Sequence, residues 1–238
     1  MTADAPMAFM DHLVELRSRL IRSLIAVALA TVVAAFFYND ILELLSRPYL
    51  EAVDGERLAF FQPTEAFSLA LRLSLWGGVI LASPVIIYQL WRFVGPALTA
   101  RERRYVIPLS GVLGLLFAGG VVVGYLVMPL TLELLVSFGQ DFLEPTIGAD
   151  FYLRFAMRFL LAFGIAFEFP VFLFASAVMG ITTSRRLREW RRYAVTIIVI
   201  GAALLTPGGD PLTLLLLSVP LYVLYEGTIL AIRLFLKR

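Results

Sequence analysis

Long uncharged runs separated by short charged segments organise this chain. Residues 105–132 carry no charge, 73–91 lie uncharged between Arg72 and Arg92, and 159–184 are interrupted only by Glu168. Residues 23–39, 193–209 and 211–225 are likewise uncharged. A predominantly apolar run of about 18 or more residues is long enough to cross the hydrocarbon core as a helix. The pattern predicts six spans, approximately 20–39, 73–92, 105–132, 158–181, 193–209 and 211–231. No alternating pattern of period two recurs, so a membrane β-barrel is not expected. The predicted fold is all-α: one polytopic membrane domain over residues 1–238. Within it, 39–45 places Ile41, Leu42, Leu44 and Leu45 on a short interfacial helix. The uncharged cores of the last two spans reach only about 25 and 22 Å, against roughly 30 Å of hydrocarbon. Either the bilayer thins there or the helices continue past their charges.

Composition agrees with this reading: 60% of residues are hydrophobic and 16% charged. Cysteine is absent and His12 is the single histidine. Thiol chemistry, zinc clusters and iron–sulfur centres are therefore excluded, and imidazole catalysis has little to work with. There is no HExxH, no phosphate-cradling GxxxxGK[ST] and no aspartate within a span, so no enzyme is expected. No cofactor, metal or nucleic-acid partner is expected either.

The net charge near +2 conceals an asymmetry. Fifteen of the twenty Lys and Arg residues fall in the N-terminal segment, the second and fourth loops and the C-terminal segment. Arg47, Arg57, Arg72, Arg154 and Arg158 fall in the first and third loops. Basic residues mark the cytoplasmic side, so both termini are expected there. The mildly acidic start, Met1 to Asp11, does not read as a cleavable signal.

Three acidic residues stand apart by location. Glu168, in Phe167-Glu168-Phe169-Pro170, lies inside the fourth span, where an ionisable group normally faces a cavity or a partner. Pro170 lacks an N–H and frees backbone near Ala166, which favours a bend. The alternative is a protonated carboxyl bonded to a neighbouring helix. Glu15 and Glu102 sit among the cytoplasmic arginines. Each could accept a ligand guanidinium through paired hydrogen bonds, or simply balance local charge, as Glu15 would with Arg19 at i+4.

A series of short segments runs in order along the chain: His12-Leu13-Val14-Glu15-Leu16-Arg17-Ser18-Arg19-Leu20, Ser46-Arg47-Pro48, Pro63-Thr64-Glu65-Ala66-Phe67, and the run from Tyr88 to Leu98. Glu102-Arg103-Arg104, Phe163-Gly164, Phe167-Glu168-Phe169-Pro170, Met179-Gly180-Ile181, Thr206-Pro207 and Leu224-Tyr225-Glu226 follow. In this order and spacing they closely resemble the TatC subunit of the twin-arginine protein translocase. The resemblance implies six helices forming a curved, cup-like wall with both termini cytoplasmic, in the cytoplasmic (inner) membrane of a prokaryote. It implies a receptor for twin-arginine signal peptides of folded cargo, working with TatA- and TatB-like single-span subunits and other TatC copies, driven by the proton-motive force. Glu15, Arg17, Phe93 and Glu102 would form the signal-binding patch. Glu168, Gln89 and Asp210 would supply intramembrane polar contacts to partner subunits, and Pro48 and Phe67 would be exterior positions linked to activity. After the fifth span the chain reads Pro207-Gly208-Gly209-Asp210-Pro211 and lacks the family's frequent Ser-Gln. A different class, a proton-coupled small-solute permease relaying protons through Glu168, is the alternative.

Overall fold

A computed structural model of the chain describes residues 9–53, 58–94, 106–137, 146–205 and 211–236. Nine α-helices follow one another among them: α1 Phe9–Phe36, α2 Tyr38–Ala52, α3 Glu65–Val94, α4 Val106–Ser137, α5 Ala149–Ala166, α6 Phe169–Val178, α7 Ser184–Glu189, α8 Arg191–Leu205 and α9 Pro211–Ala231. A π-helical turn, Ile232–Leu236, continues α9. The described residues form no strand; Ala59 and Gly148 make one isolated parallel bridge between the first and third loops. Five helical segments are long and apolar enough to cross a membrane: His12–Phe36, Glu65–Phe93, Gly111–Ser137, Ala149–Val178 and Leu214–Leu236. α8, in the region of the predicted fifth span, shows 15 residues, and 206–210 lie outside the described residues.

Several helices run beyond the uncharged stretches that announced them. α1 begins at Phe9 and α5 at Ala149, well before residues 20 and 158. Charges mark where a segment leaves the hydrocarbon, but they do not stop a helix, because straight-chain Arg and Glu are good helix formers. The sixth predicted span extends in the same way. The 21 residues of α9 reach about 32 Å at 1.5 Å per residue, so this helix needs no bilayer thinning. It carries Glu226 along, and that carboxylate accepts a hydrogen bond from Arg191 Nη2 at 2.7 Å and another from the Tyr222 hydroxyl at 3.1 Å. The carboxylate in turn holds the exposed Arg191 guanidinium above its ordinary pKa.

α5 lies at the centre of the core. Tyr152, Leu153, Ala156, Phe159 and Phe163 are all buried, and α5 packs chiefly against α4. Close approach is possible because α4 presents Gly120 there. A Cβ at that position would sit 2.6 Å from the Phe163 carbonyl oxygen. α1 is the opposite case. It packs along α3 and leaves Leu20, Leu24, Ile25, Leu29, Val32 and Phe36 exposed, an apolar face suited to lipid. Its seam with α3 depends on Gly78, where a Cβ would meet the Thr31 backbone at 2.6 Å.

Two proline sites shape the architecture. Pro170 has no N–H to offer the carbonyl of Ala166, four residues earlier, and α5 ends at Ala166. The chain resumes as α6 at Phe169. Pro48 lies inside α2, which is longer than the 39–45 segment expected from the apolar pattern. Pro48 cannot donate to the carbonyl of Leu44, and the Tyr125 hydroxyl of α4 donates to that oxygen at 2.9 Å. The buried Tyr152 hydroxyl of α5 donates to the next carbonyl, Leu45, at 2.7 Å. Two tyrosines from two helices thus hold α2 where proline would otherwise weaken it.

Candidate functional site

α1 and α3 run antiparallel, so the first turns of α1 meet the last turns of α3. His12, Glu15 and Arg19 recur at spacings of three and four, which puts them on one face of α1. Gln89 and Phe93, four apart, share a face of α3. The two faces meet. The His12 and Phe93 rings stack with centroids 4.3 Å apart. Arg19 spans the seam: its Nη2 donates to Glu15 Oε1 at 2.8 Å, its Nε to the same oxygen at 3.3 Å, and its Nη1 to Gln89 Oε1 at 3.1 Å. The pair is largely shielded, with side-chain exposures of 13% for Arg19 and 21% for Glu15. An open hollow of about 330 Å³ beside it is lined by Val14, Glu15, Ser18, Arg19 and Arg22. One carboxylate and two guanidiniums border that hollow, so its balance is positive.

The sequence-predicted residues divide among several places. Glu15 and Phe93 come together at this seam. Arg17 is exposed and, two residues from Glu15, lies off the shared face. Gln89 joins the Glu15–Arg19 pair and not Glu168, although the resemblance assigned it to the intramembrane polar set. Glu102 and Asp210 lie outside the described residues. Spacing alone predicts the Glu15–Arg19 contact, but nothing in the sequence pairs Gln89 with Arg19, 70 positions away.

Glu168 occupies the break between α5 and α6. It is 7% exposed, and both of its carboxylate oxygens lack a hydrogen-bond partner among the described residues. Burying an unpartnered carboxyl is unfavourable. Beyond this break, an apolar hollow of about 310 Å³ is lined by Pro170, Val171 and Phe174 of α6 with residues of α4 and α9; Glu168 is not among its lining residues.

At the opposite end of α3, Phe67 is exposed in the first turn. Beside it lies a group the sequence did not single out. The buried Glu65 carboxylate accepts backbone N–H bonds from Phe61 at 2.8 Å and Gln62 at 3.2 Å on Oε2, and from Asp150 at 3.0 Å on Oε1. It thereby clasps the first loop to the start of α5. Asp150 also pairs with Arg72 of α3 and Arg154 of its own helix. On α2, the Arg47 guanidinium beside Pro48 pairs with Glu43 at 2.8 Å, which raises its pKa above the usual arginine value.

Comparison with known proteins bears on what these sites serve. A family profile described as Sec-independent protein translocase protein (TatC) matches residues 11–220. The Sec-independent protein translocase protein TatC of Desulforapulum autotrophicum is 39% identical over 232 residues, which cover 97% of this chain and 86% of that protein. Its counterpart in Carboxydothermus hydrogenoformans is 36% identical over 227 residues, covering 95% of this chain and 93% of that protein. A crystal structure of a twin arginine translocase receptor, TatC, in DDM superposes with a TM-score of 0.80 at 38% identity, covering 93% of this chain and 99% of that one. The chain belongs to the TatC family of Sec-independent protein translocase proteins, and is a membrane-embedded translocase component, not an enzyme.

Proposed function

We propose that the seam between the start of α1 and the end of α3 is the surface on which this chain receives twin-arginine signal peptides. The observation that carries the reading is the convergence of Glu15, Gln89 and the His12–Phe93 stack at the arginine-rich end of the helices. A carboxylate takes a guanidinium through two parallel hydrogen bonds, an amide oxygen adds an acceptor, and an aromatic face suits a cation or an apolar side chain. Glu102, close in sequence to the end of α3, is the second proposed acceptor, and Arg17 a positioning charge at the rim.

In this reading both termini face the cytoplasm, following the distribution of Lys and Arg, and the chain resides in the cytoplasmic membrane of a prokaryote. It works with TatA- and TatB-like single-span subunits and further TatC copies, and the proton-motive force drives cargo across. Glu168 offers a buried carboxyl to a polar group on a partner helix, with Asp210 a second contact. Pro48 and Phe67 act on the exterior side, where α2 and the first turn of α3 lie. A proton-coupled permease has less support, because it gives the Glu15–Gln89 seam no task.

The experiment is crosslinking of a precursor bearing a twin-arginine signal to the purified chain in lipid nanodiscs. Glu15→Ala and Glu102→Ala should each weaken the crosslink, and the double variant should lose it. Unchanged crosslinking in the double variant would remove the proposed site.

A further inference from the structure

Glu15 is not vacant. Two N–H groups of Arg19 converge on Oε1, at 2.8 and 3.3 Å, while Oε2 receives no hydrogen bond among the described residues. A peptide guanidinium approaching this carboxylate meets one already engaged by a guanidinium of the same chain. Arg22 adds a second positive charge at the hollow's edge. Like charges brought onto one carboxylate repel, so bidentate capture of a ligand arginine requires Arg19 to withdraw.

Arg19 has somewhere to go. Its Nη1 already donates to Gln89 Oε1 at 3.1 Å, across the seam on α3. A guanidinium carries five N–H donors in a planar fork, so it can give up Glu15 and stay anchored on the amide oxygen. We infer that Arg19 is a built-in competitor of the ligand: it fills the acceptor of Glu15 in the free chain and is handed to Gln89 when a paired-arginine peptide binds. This rests on the receptor reading of Glu15 above. Binding is then an exchange of one fork for another. The free chain also keeps Glu15 neutralised, so that stray cations find no bare carboxylate. Affinity is held below its intrinsic value in proportion to the fraction of molecules in which Glu15 is open. If Arg19 fills Glu15 in roughly 80–90% of molecules, the reduction is about 5- to 10-fold.

The test uses the full chain in nanodiscs and a fluorescent synthetic peptide containing paired arginines, with Kd read by anisotropy. Arg19→Gln should lower Kd by about 5- to 10-fold, and Arg19→Lys, which keeps the charge without the fork, by less. Gln89→Ala should raise Kd in the parent, because displaced Arg19 loses its second anchor. In the Arg19→Gln background the same change should have a smaller effect, a coupling that a merely structural role would not produce. An unchanged or higher Kd in both Arg19 variants overturns the competitor. Glu15→Gln separates the two layers of the argument. If it leaves binding intact, the receptor reading of Glu15 fails. If it abolishes binding while Arg19→Gln brings no gain, only the competitor fails.

Discussion

Replacing Glu65 by alanine removes one carboxylate and leaves three backbone N–H groups, those of Phe61, Gln62 and Asp150, without their acceptor. A hydrogen bond to a charged group is worth roughly 1.5–3 kcal/mol. Phe61 and Gln62 are exposed residues whose amides can recruit water, so most of the loss falls on the contact to Asp150. The expected destabilisation of the junction between the first loop and α5 is about 2–4 kcal/mol. At 1.4 kcal/mol per tenfold, 3 kcal/mol corresponds to roughly a 100-fold increase in local opening. Amide hydrogen exchange of the nanodisc-embedded chain reads this directly, with protection lost at Asp150 and in 58–62. Glu65→Gln should do nearly as badly, because its NH₂ points a donor where a backbone donor already stands. Protection of the Asp150 amide unchanged to within threefold in both variants would refute the clasp.

Three further outcomes are expected. Tyr152→Phe removes the hydroxyl that holds the Leu45 carbonyl and should destabilise the chain by about 1–2 kcal/mol, seen as a lower Tm in one detergent; an unchanged Tm contradicts the tie to α2. Gly78→Ala drives a methyl to within 2.6 Å of the Thr31 backbone, so α1 must shift and the seam should loosen by about 1–3 kcal/mol, measured as faster proteolysis within α1; parental proteolysis contradicts this. Glu168→Ala should abolish transport while the protein still inserts, and Glu168→Gln should impair it less, because an amide can still meet a partner's donor. Equal loss in a transport assay would point instead to a group that must titrate.

What the sequence conveys here depends on how local the physics is. Uncharged runs reveal spans because a bilayer tolerates little else, and the break at Pro170 follows from a missing N–H. The Glu15–Arg19 pair follows from helical spacing. Gln89 does not, because its meeting with Arg19 depends on how α1 and α3 dock, and that is decided at Gly78 and Thr31. Glu65 is a harder case. Its partners are backbone amides, which every residue except proline carries, so no side-chain pattern marks them. The extent of α2 is hidden from the sequence for a similar reason. The hydroxyls that hold it around Pro48 come from Tyr125 and Tyr152, far along the chain.

Recognition of arginine by Glu15 is central to the proposed function. It is tested most directly by comparing Kd for two signal peptides, one with paired arginines and one with paired lysines, on the parent chain and on Glu15→Gln. A carboxylate that holds a planar fork prefers guanidinium to ammonium. About tenfold or greater preference for the arginine peptide is expected on the parent, reduced to about threefold on Glu15→Gln, where Glu102 still holds one fork. An undiminished preference on Glu15→Gln would contradict it.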